Sequence, residues 1–344
     1  LPASRFPLPA RVQMLRLPRF HYLEPRSIAD AVRMRADAGD DAAFVAGGTD
    51  LYPNMKRRQQ TPATVISLGR LRELRQIDGT PESGLTIGAG VTLTELARHP
   101  LVRQHYRAVA HAAEVVSTPL LRNMGTIGGN LLLDTRCNYY DQTYEWRKAI
   151  DFCMKRDGAI CWVAPSSPRC WAVQSSDGVP VAVALGAEVT LAGSAGERRI
   201  PAAALYRNDG IDYLTKKPDE LLIAYHLPAV NGWKAAYQKL RRRDSFDFPV
   251  LGVAARLDFA SDGTVNAARI VLGAVASYPM DMQAAAEAIV GKRLDATTIG
   301  AAADAAFRPA KPMDNTDLTL GWRKEMVRVY VQRVLQELSD TRVA

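Results

Sequence analysis

Four cysteines are the residues of this sequence best suited to chemistry, and they lie close together along the chain. Cys137, Cys153, Cys161 and Cys170 fall within one 34-residue window, and the other 310 residues contain no cysteine. Thiolates bind iron and zinc, and clustered cysteines in a protein of a reducing compartment indicate metal binding rather than disulfides. The window therefore predicts an inorganic site.

The spacing of the cysteines limits the kind of inorganic site. Fifteen, seven and eight residues separate successive cysteines, and no histidine lies in the window. Structural zinc sites usually contain cysteine pairs that are about two to four residues apart, a pattern absent here. A 4Fe–4S cluster takes one cysteine per iron and suits four widely spaced thiolates. These residues favour an iron–sulfur cluster, while a zinc site and reduced or paired thiols remain open alternatives.

Aromatic and basic side chains are dense in the same window. The aromatic ones are Tyr139, Tyr140, Tyr144, Trp146, Phe152, Trp162 and Trp171, and the basic ones include Lys148, Lys155, Arg156 and Arg169. We expect the basic groups to offset the negative charge of a cluster, whose potential responds to nearby charge. The aromatic groups are expected either to shield the cluster from water or, more simply, to pack the segment as a small separate core.

Two glycine-rich loops are the second candidate binding feature. They span residues 46–50 (Ala-Gly-Gly-Thr-Asp) and 125–130 (Gly-Thr-Ile-Gly-Gly-Asn). Glycine lets backbone N–H groups approach an anion, and several such groups in one concavity can hold a diphosphate, aided by the start of a following helix. Each loop taken alone is more typical of a tight turn between a strand and a helix.

The common nucleotide motifs are absent from the sequence. Gly88-Ala89-Gly90 lacks the third glycine of a Rossmann fingerprint, and no segment matches GxxxxGK[ST]. Two diphosphate-compatible loops in a chain of net charge +8 therefore favour a dinucleotide bound by a non-Rossmann fold. The densest basic run, Arg241 to Arg243, is short and ends at Asp244, so we expect no nucleic-acid partner. No apolar run reaches the length of a membrane span.

The elements that must position these residues begin with a β/α alternation. Apolar spacing predicts helices at 27–38, 51–58, 71–75, 94–99 and 103–116, and strands at 42–46, 64–68 and 84–90. After the cysteine window, apolar runs predict strands at 181–185, 188–192 and 198–201. Beyond Gly232, three strands (234–240, 250–259 and 267–275) precede three helices (282–290, 297–307 and 322–338), which is an α+β order.

The first residues of the chain differ from the rest. Residues 1–13 are rich in proline and arginine, and Met14 follows as a candidate start, so we assign 1–16 to an extension or tag. The segment lacks the continuous apolar core of a secretory signal, which predicts a cytoplasmic protein.

Four motifs occur together and in a fixed order. They are residues 44–51 (FVAGGTDL), 122–130 (RNMGTIGGN), Ser176-Asp177-Gly178 leading into 184–187 (ALGA), and Lys239-Leu240-Arg241 followed by 247–250 (DFPV). This set resembles the FAD-binding medium subunits of the xanthine dehydrogenase and carbon monoxide dehydrogenase family of molybdenum hydroxylases. The resemblance covers about residues 17–338.

The resemblance implies an α+β fold in two domains. Residues 17–230 would form a two-subdomain FAD-binding domain of the PCMH/vanillyl-alcohol-oxidase-like type, and residues 231–340 a C-terminal CO dehydrogenase flavoprotein-like domain with a three-stranded antiparallel sheet and helices. Most family members pass almost directly from the second glycine-rich loop to Ser176-Asp177, whereas here residues 131–175 intervene. This insertion is similar to that of the β subunits of the 4-hydroxybenzoyl-CoA reductase subfamily, which carry an additional 4Fe–4S cluster there. Cys137, Cys153, Cys161 and Cys170 would be its ligands.

The resemblance also implies which residues hold FAD. The diphosphate and ribityl contacts would come from Phe44, Val45, Ala46, Gly47, Gly48, Thr49, Asp50 and Leu51, and from Gly125, Thr126, Ile127, Gly128, Gly129 and Asn130. Val116 would line the flavin site through its backbone, and Asp177 would hydrogen-bond near the ribityl chain or the ring edge. Lys239 would lie near the flavin pyrimidine carbonyl and stabilise reduced, anionic flavin. Taken alone, Lys239 is more typical of a solvated strand charge.

The implied function is electron relay, with no catalytic residue on this chain. Electrons would pass from ferredoxin to the 4Fe–4S cluster and FAD, then to 2Fe–2S clusters on a small subunit and a molybdopterin cofactor on a large subunit. There 4-hydroxybenzoyl-CoA would be reductively dehydroxylated to benzoyl-CoA in anaerobic aromatic degradation, within a dimer of heterotrimers. One alternative is an FAD subunit of a hydroxylase that oxidises an aromatic or N-heterocyclic substrate, with electrons flowing outward. Another is a zinc-stapled interaction protein without a redox role.

Overall fold

The structure, a computed structural model, describes residues 15–340. The predicted extension therefore lies almost wholly outside the described residues. A small parallel sheet opens the fold, in the strand order β1-β3-β2. Its strands are β1 (His21–Leu23), β2 (Ala42–Val45) and β3 (Thr64–Ser67). Parallel pairing requires crossovers, and helices α1 (Ile28–Ala38) and α2 (Leu51–Lys56) supply them.

A second sheet is antiparallel, in the order β4-β5-β8-β6-β7. Its strands are β4 (Ile77–Thr80), β5 (Gly84–Gly88), β6 (Glu188–Gly193), β7 (Gly196–Pro201) and β8 (Leu221–Leu227). Between β5 and β6 the chain forms α3 (Leu93–Arg98), α4 (Pro100–His105), α5 (Arg107–Glu114), α6 (Pro119–Arg122), α7 (Ile127–Leu131), α8 (Tyr144–Ala149) and α9 (Gly178–Leu185). The long excursion carries the second glycine-rich loop and all four cysteines.

Two local predictions in this region are wrong. Residues 181–185 form part of helix α9 rather than a strand, because every side chain of 179–185 is buried and an all-apolar run has no period to read. The helix predicted at 103–116 is two helices, α4 and α5, which meet at Tyr106, a residue with φ −125° and ψ 50°. The Tyr106 hydroxyl donates to the carbonyl oxygen of Pro228 at 2.8 Å and so ties the break to the second sheet.

The C-terminal sheet contains four antiparallel strands, in the order β12-β11-β10-β9. They are β9 (Lys234–Leu240), β10 (Leu251–Phe259), β11 (Val265–Gly273) and β12 (Met280–Asp281). The prediction of three strands is wrong because it missed β12, whose two residues are too few to show the alternation of a strand. Helices α10 (Gln283–Glu287), α11 (Ala296–Phe307) and α12 (Leu320–Asp340) cover one face.

Helix α9 joins the two halves of the molecule. It packs against α5 on one side and against β10 and β11 on the other, and the largest apolar core runs through it. Within residues 15–340 no helix combines the length and apolar character needed to cross a membrane.

The cysteine segment leaves and re-enters the domain at one place. Arg136 and Val173 pair as a single antiparallel bridge, with each N–H donating to the other's carbonyl oxygen at 2.9 and 2.8 Å. Between them the described chain has little regular structure beyond α8, as its weak periodicity predicts.

Candidate functional site

A cavity of about 860 Å³ lies where the two glycine-rich loops meet. Its volume is near the upper end of the range for small-molecule and cofactor sites. The first loop follows β2, whereas the second includes most of α7, so the small sheet and the helical excursion each contribute one loop to the cavity. Every residue of 44–51 lines the cavity, as do Gly125, Thr126, Gly128, Gly129 and Asn130. Ile127 instead points into the main apolar core.

Glycine is required where the two loops touch. A Cβ on Gly47 would overlap the carbonyl oxygen of Met124, and a Cβ on Gly128 would lie 2.7 Å from both the Cβ and the carbonyl oxygen of Ala89. Gly48 has φ +70°, which a side chain would strain. The absence of side chains lets the backbones approach closely and leaves peptide groups at the cavity wall. Most amides of the second loop are already used. The N–H groups of Gly125, Ile127, Gly128 and Asn130 donate to backbone carbonyl oxygens at 2.7–2.9 Å, and the N–H of Gly129 donates to the Thr126 hydroxyl at 3.1 Å.

Asp50 brings a carboxylate to the cavity wall. Its Oδ2 accepts a hydrogen bond from the Asn54 side-chain amide at 3.0 Å, and its Oδ1 pairs with Arg136 at 3.1 Å. Burial raises the pKa of Asp50 to about 6, and the charge of Arg136 opposes that rise. Asp50 is therefore mainly ionised at neutral pH and gains a proton under mildly acidic conditions.

Val116 lines the cavity, whereas Asp177 and Lys239 lie behind its wall. Both charged side chains are buried and pair at 2.9 Å, and the Tyr237 hydroxyl donates to Asp177 at 2.8 Å. Burial raises the pKa of Asp177 and lowers that of Lys239, and the pairing opposes both shifts. The two residues form a supporting network rather than a direct cavity surface.

Three cations hold the segment that precedes the second loop. The Lys239 ammonium and the Arg241 guanidinium both donate to the Val115 carbonyl oxygen, at 2.9 and 3.0 Å. Arg122 donates to the carbonyl oxygen of Val116 at 2.7 Å. Positive charge is thus concentrated next to this part of the wall. The sequence reasoning assigned no role to Arg122 or Arg241, although both belong to the motifs that carry the family resemblance.

All four cysteines are free thiols and are 4–6% exposed. Cys137, Cys153 and Cys170 share a small core with Tyr140 and Ala172. Burial raises the pKa of the Cys137 thiol to about 12. The neighbouring thiols of Cys161 and Cys170 interact, which lowers the pKa of Cys161 to about 5 and raises that of Cys170. Within residues 15–340, no three His, Cys, Asp or Glu side chains form a group arranged to hold a metal ion.

Buried cations surround the cysteines. Arg147 is 1% exposed, and its Nη2 donates to the carbonyl oxygen of Arg57 at 2.9 Å. Its Nε and Nη1 have no hydrogen-bond partner among the described residues. Burial lowers the pKa of Arg147, while the nearby thiol of Cys153 acts in the opposite direction. A buried guanidinium with two unused donors is costly unless an anion completes it.

Lys155 occupies the other side of the cysteine core. Its ammonium donates to Asp134, to Thr135 and to the carbonyl oxygen of Gly210, at 2.7–2.8 Å. Gly210 lies directly on the core, since a Cβ there would be 2.6 Å from the Cys170 sulfur. Only some of the aromatic residues are buried, as both shielding and packing would require. Tyr140 is buried with the cysteines, whereas Tyr144, Trp146 and Trp162 are exposed.

Comparison with known families identifies the class of protein that this fold and cavity define. The family described as "FAD binding domain in molybdopterin dehydrogenase" matches residues 18–230, and the "CO dehydrogenase flavoprotein C-terminal domain" matches residues 235–338. The chain therefore belongs to the family of FAD-binding subunits of molybdopterin dehydrogenases. An interaction protein without a redox role is excluded by this membership.

Individual relatives show which members of the family the chain resembles. It is 28% identical over 323 residues to the carbon monoxide dehydrogenase medium chain of Hydrogenophaga pseudoflava, covering 92% of this chain and 96% of that one. It is 34% identical over 278 residues to the aldehyde oxidoreductase FAD-binding subunit PaoB of Escherichia coli K12, covering 77% and 84%. The solved carbon monoxide dehydrogenase of H. pseudoflava matches with a TM-score of 0.77, covering 93% and 97% of the two chains at 28% identity. This protein is an FAD-binding medium subunit of the molybdenum hydroxylase family, an electron-transferring oxidoreductase subunit.

Proposed function

We propose that this chain carries a 4Fe–4S cluster in addition to FAD and relays electrons between them, in a complex of the 4-hydroxybenzoyl-CoA reductase type. The observation that supports it most directly is the set of four buried free thiols in the segment 131–175, beside a buried arginine with unused donors. That segment is the part of the chain in which the sequence departs from most of the family.

The wide spacing of the four cysteines along the chain favours an anionic multi-iron group over a single ion. One zinc ion would bring its sulfur ligands to about 4 Å from one another, given Zn–S bonds of about 2.3 Å. In a 4Fe–4S cluster each thiolate binds its own iron, so the sulfurs stand further apart and enclose a larger group. A cluster with four thiolates is negatively charged, and Arg147 and Lys155 would offset that charge from two sides.

The cavity would hold FAD with its diphosphate against the two loops. Phe44 to Leu51 and Gly125 to Asn130 would supply backbone contacts, and Ile127 would anchor the second loop in the core. Val116 would face the flavin, whereas Asp177 and Lys239 would act through Val115 rather than by direct contact. Bound FAD exchanges electrons singly or in pairs. The cations behind Val115 and Val116 would favour the reduced, negatively charged cofactor.

Electrons would enter from ferredoxin at the cysteine segment, in the cytoplasm. They would leave through FAD to a small subunit with 2Fe–2S clusters and a large subunit with the molybdopterin cofactor, arranged as a dimer of heterotrimers. There the phenolic hydroxyl of 4-hydroxybenzoyl-CoA would be removed with two electrons and two protons, giving benzoyl-CoA and water. The basic net charge of +8 suits an acidic donor, and long-range steering of such a partner weakens with salt.

The test compares the anaerobically purified wild-type complex with the same complex carrying Cys153→Ser. We expect the variant to lose about four iron and four sulfide ions per medium chain and to retain FAD. The wild-type complex should turn over 4-hydroxybenzoyl-CoA with reduced viologen. Equal iron content in the two complexes, or one zinc per chain in its place, would contradict the cluster.

A second candidate is an FAD subunit of a hydroxylase with outward electron flow. The relatives favour it, because they include subunits named for carbon monoxide, nicotinate and xanthine dehydrogenases. It predicts reduction of an artificial oxidant by an aromatic or N-heterocyclic substrate, together with no activity on 4-hydroxybenzoyl-CoA. The same purified complex distinguishes the two functions.

A further inference from the structure

One arginine connects the FAD cavity to the first cysteine. Arg136 pairs with Asp50 at 3.1 Å and with Asp141 at 3.2 Å. Asp50 lines the cavity, and the Asp141 Oδ2 that pairs with Arg136 also accepts the N–H of Cys137 at 3.3 Å. A single guanidinium therefore bridges a carboxylate at the cofactor wall and a carboxylate that holds the Cys137 backbone.

The same guanidinium also touches the cavity wall through an aromatic ring. It lies over the Phe248 ring at 4.0 Å from the centroid, and Phe248 lines the cavity. A smaller cavity of about 230 Å³ lies on the other side, lined by Arg136, Cys137 and Phe248 among others. Arg136 thus occupies the partition between the two cavities, where its side chain is 15% exposed.

Because Arg136 pairs with two carboxylates beside the cavity, it responds when an anionic ligand enters that cavity. The diphosphate of FAD repels the Asp50 carboxylate and attracts Arg136, because charges interact strongly where water is largely excluded. Because Arg136 pairs with both carboxylates, a change in its pairing with Asp50 also changes the strength of its pairing with Asp141. Since Asp141 accepts the Cys137 N–H, the effect reaches the Cys137 loop without any element moving as a whole.

We propose that Arg136 is a positioning residue that couples occupation of the FAD cavity to the order of the Cys137 loop. The inference rests on the proposed function only for the inorganic group that Cys137 would hold. Coupling between FAD and the Cys137 loop is reciprocal, so an ordered Cys137 loop strengthens FAD binding by the same factor.

The experiment uses the full-length chain in its metal-free form, with and without saturating FAD. Each cysteine is alkylated with iodoacetamide in short pulses and quantified by mass spectrometry. The alkylation rate of a buried thiol follows the fraction of time its loop is open, when opening and closing are fast. We expect FAD to slow alkylation of Cys137 by about tenfold in the wild type, a typical coupling factor.

Arg136→Ala should remove most of that protection, leaving less than about a twofold effect, and Arg136→Lys should restore part of it. Cys170, which Arg136 does not contact, provides an internal measure of intact folding. Arg328→Ala is the matched control, because Arg328 also bridges two carboxylates, Asp304 and Glu325, but on the C-terminal helices. It should keep the full wild-type protection.

Asp50→Asn tests the bridge from its other end and guards against a fold defect in Arg136→Ala. It should also uncouple Cys137 from FAD while FAD still binds, as flavin fluorescence reports. If FAD protects Cys137 equally in the wild type, Arg136→Ala and Asp50→Asn, the inference is wrong. Iron and sulfide analysis is independent of this outcome, so failure of the coupling and failure of the proposed cluster remain distinguishable.

Discussion

The FAD cavity and the cysteine segment are built in different ways. The cavity lies between regular elements that belong to the main fold, and glycines allow the backbones of its two loops to approach closely. The cysteine segment has one six-residue helix, a small core and several buried charges. The cavity is thus formed by the fold itself, whereas the segment depends on polar contacts and on the group that would complete them.

This difference indicates which of the two sites can keep its structure without a bound group. A cavity whose walls belong to the main core keeps its shape without a ligand, since the core contributes the free energy of folding. A segment with an incomplete set of buried hydrogen bonds and close thiols gains order when a metal group binds, as in small metal-dependent domains. Four predictions test this contrast.

Loss of one cysteine should separate the two regions most clearly. In Cys153→Ser the proposed cluster would lack one ligand, so we expect protease cleavage within residues 131–175 to become at least about tenfold faster. FAD content should remain at the wild-type level, measured by its absorbance after gel filtration. Ser166→Ala, an exposed change in the same segment, is the control. Concurrent loss of FAD would show that the regions are not independent in stability.

Gly47→Ala should damage the cavity and spare the cysteine segment. The new Cβ would overlap the Met124 carbonyl oxygen, so the loops must separate. Overpacking of this kind costs about 1–3 kcal/mol, equivalent to about 5- to 150-fold weaker FAD binding. Fluorescence titration gives the affinity, and iron content should not change. Gly300→Ala, whose Cβ meets nothing within 4 Å on α11, should bind FAD normally. Unchanged FAD affinity in Gly47→Ala would show that the two loops can move apart without weakening FAD binding.

The effect of Arg147→Met on the stability of the protein should change sign with metal content. In the metal-free protein the buried guanidinium has two unused donors, so its removal should be neutral or should raise the melting temperature. In the loaded protein the same change should destabilise by about 1–3 kcal/mol, because a charged hydrogen-bond donor to the anionic cluster is lost. Thermal unfolding of both forms measures the effect. An equal destabilisation in both would assign Arg147 to simple packing.

The pH dependence of FAD affinity should report Asp50. Its pKa is raised by burial to about 6, so the carboxyl is neutral below that pH and negatively charged above it. The charge repels the FAD diphosphate, and affinity should therefore fall by about threefold to tenfold from pH 5 to pH 7. Titrations at constant ionic strength should show this slope in the wild type and a nearly flat profile in Asp50→Asn. A slope that survives in Asp50→Asn would assign the titration to another group.

The two glycine-rich loops and the elements adjacent to them could be predicted from the sequence better than the contacts between those elements. The strand before Gly47 and the helix after Asp50 were predictable because glycine and apolar runs are local signals, whereas the helix that begins at Ile127 within the second loop was not predicted. The helical state of 179–185 was not, since a fully buried run lacks alternation. The network of Asp177 and Lys239 behind Val115 was also out of reach. It depends on β9 meeting α5 across 124 positions of sequence, which no local pattern encodes.

For the cysteine segment the limits were different. Composition pointed to an inorganic site, and burial of all four thiols agrees with that prediction without testing the metal. The double role of Arg136 had no sequence signal, because its partners Asp50 and Asp141 lie in separate segments. Exposure of Trp146 and Trp162 was likewise unpredictable, since an aromatic residue in an irregular segment carries no period.

The paired ends of the cysteine segment have an evolutionary consequence. Because Arg136 and Val173 sit side by side, the chain leaves and re-enters the domain at one point, and the segment between them is held further by hydrogen bonds from Arg147 and Lys155. Ancestral flavoproteins could acquire or discard such an appendage in one genetic step, with neither sheet having to rearrange. Transplanting residues 137–172 onto a homologue that lacks them would be a direct way to add an electron entry port to an existing enzyme.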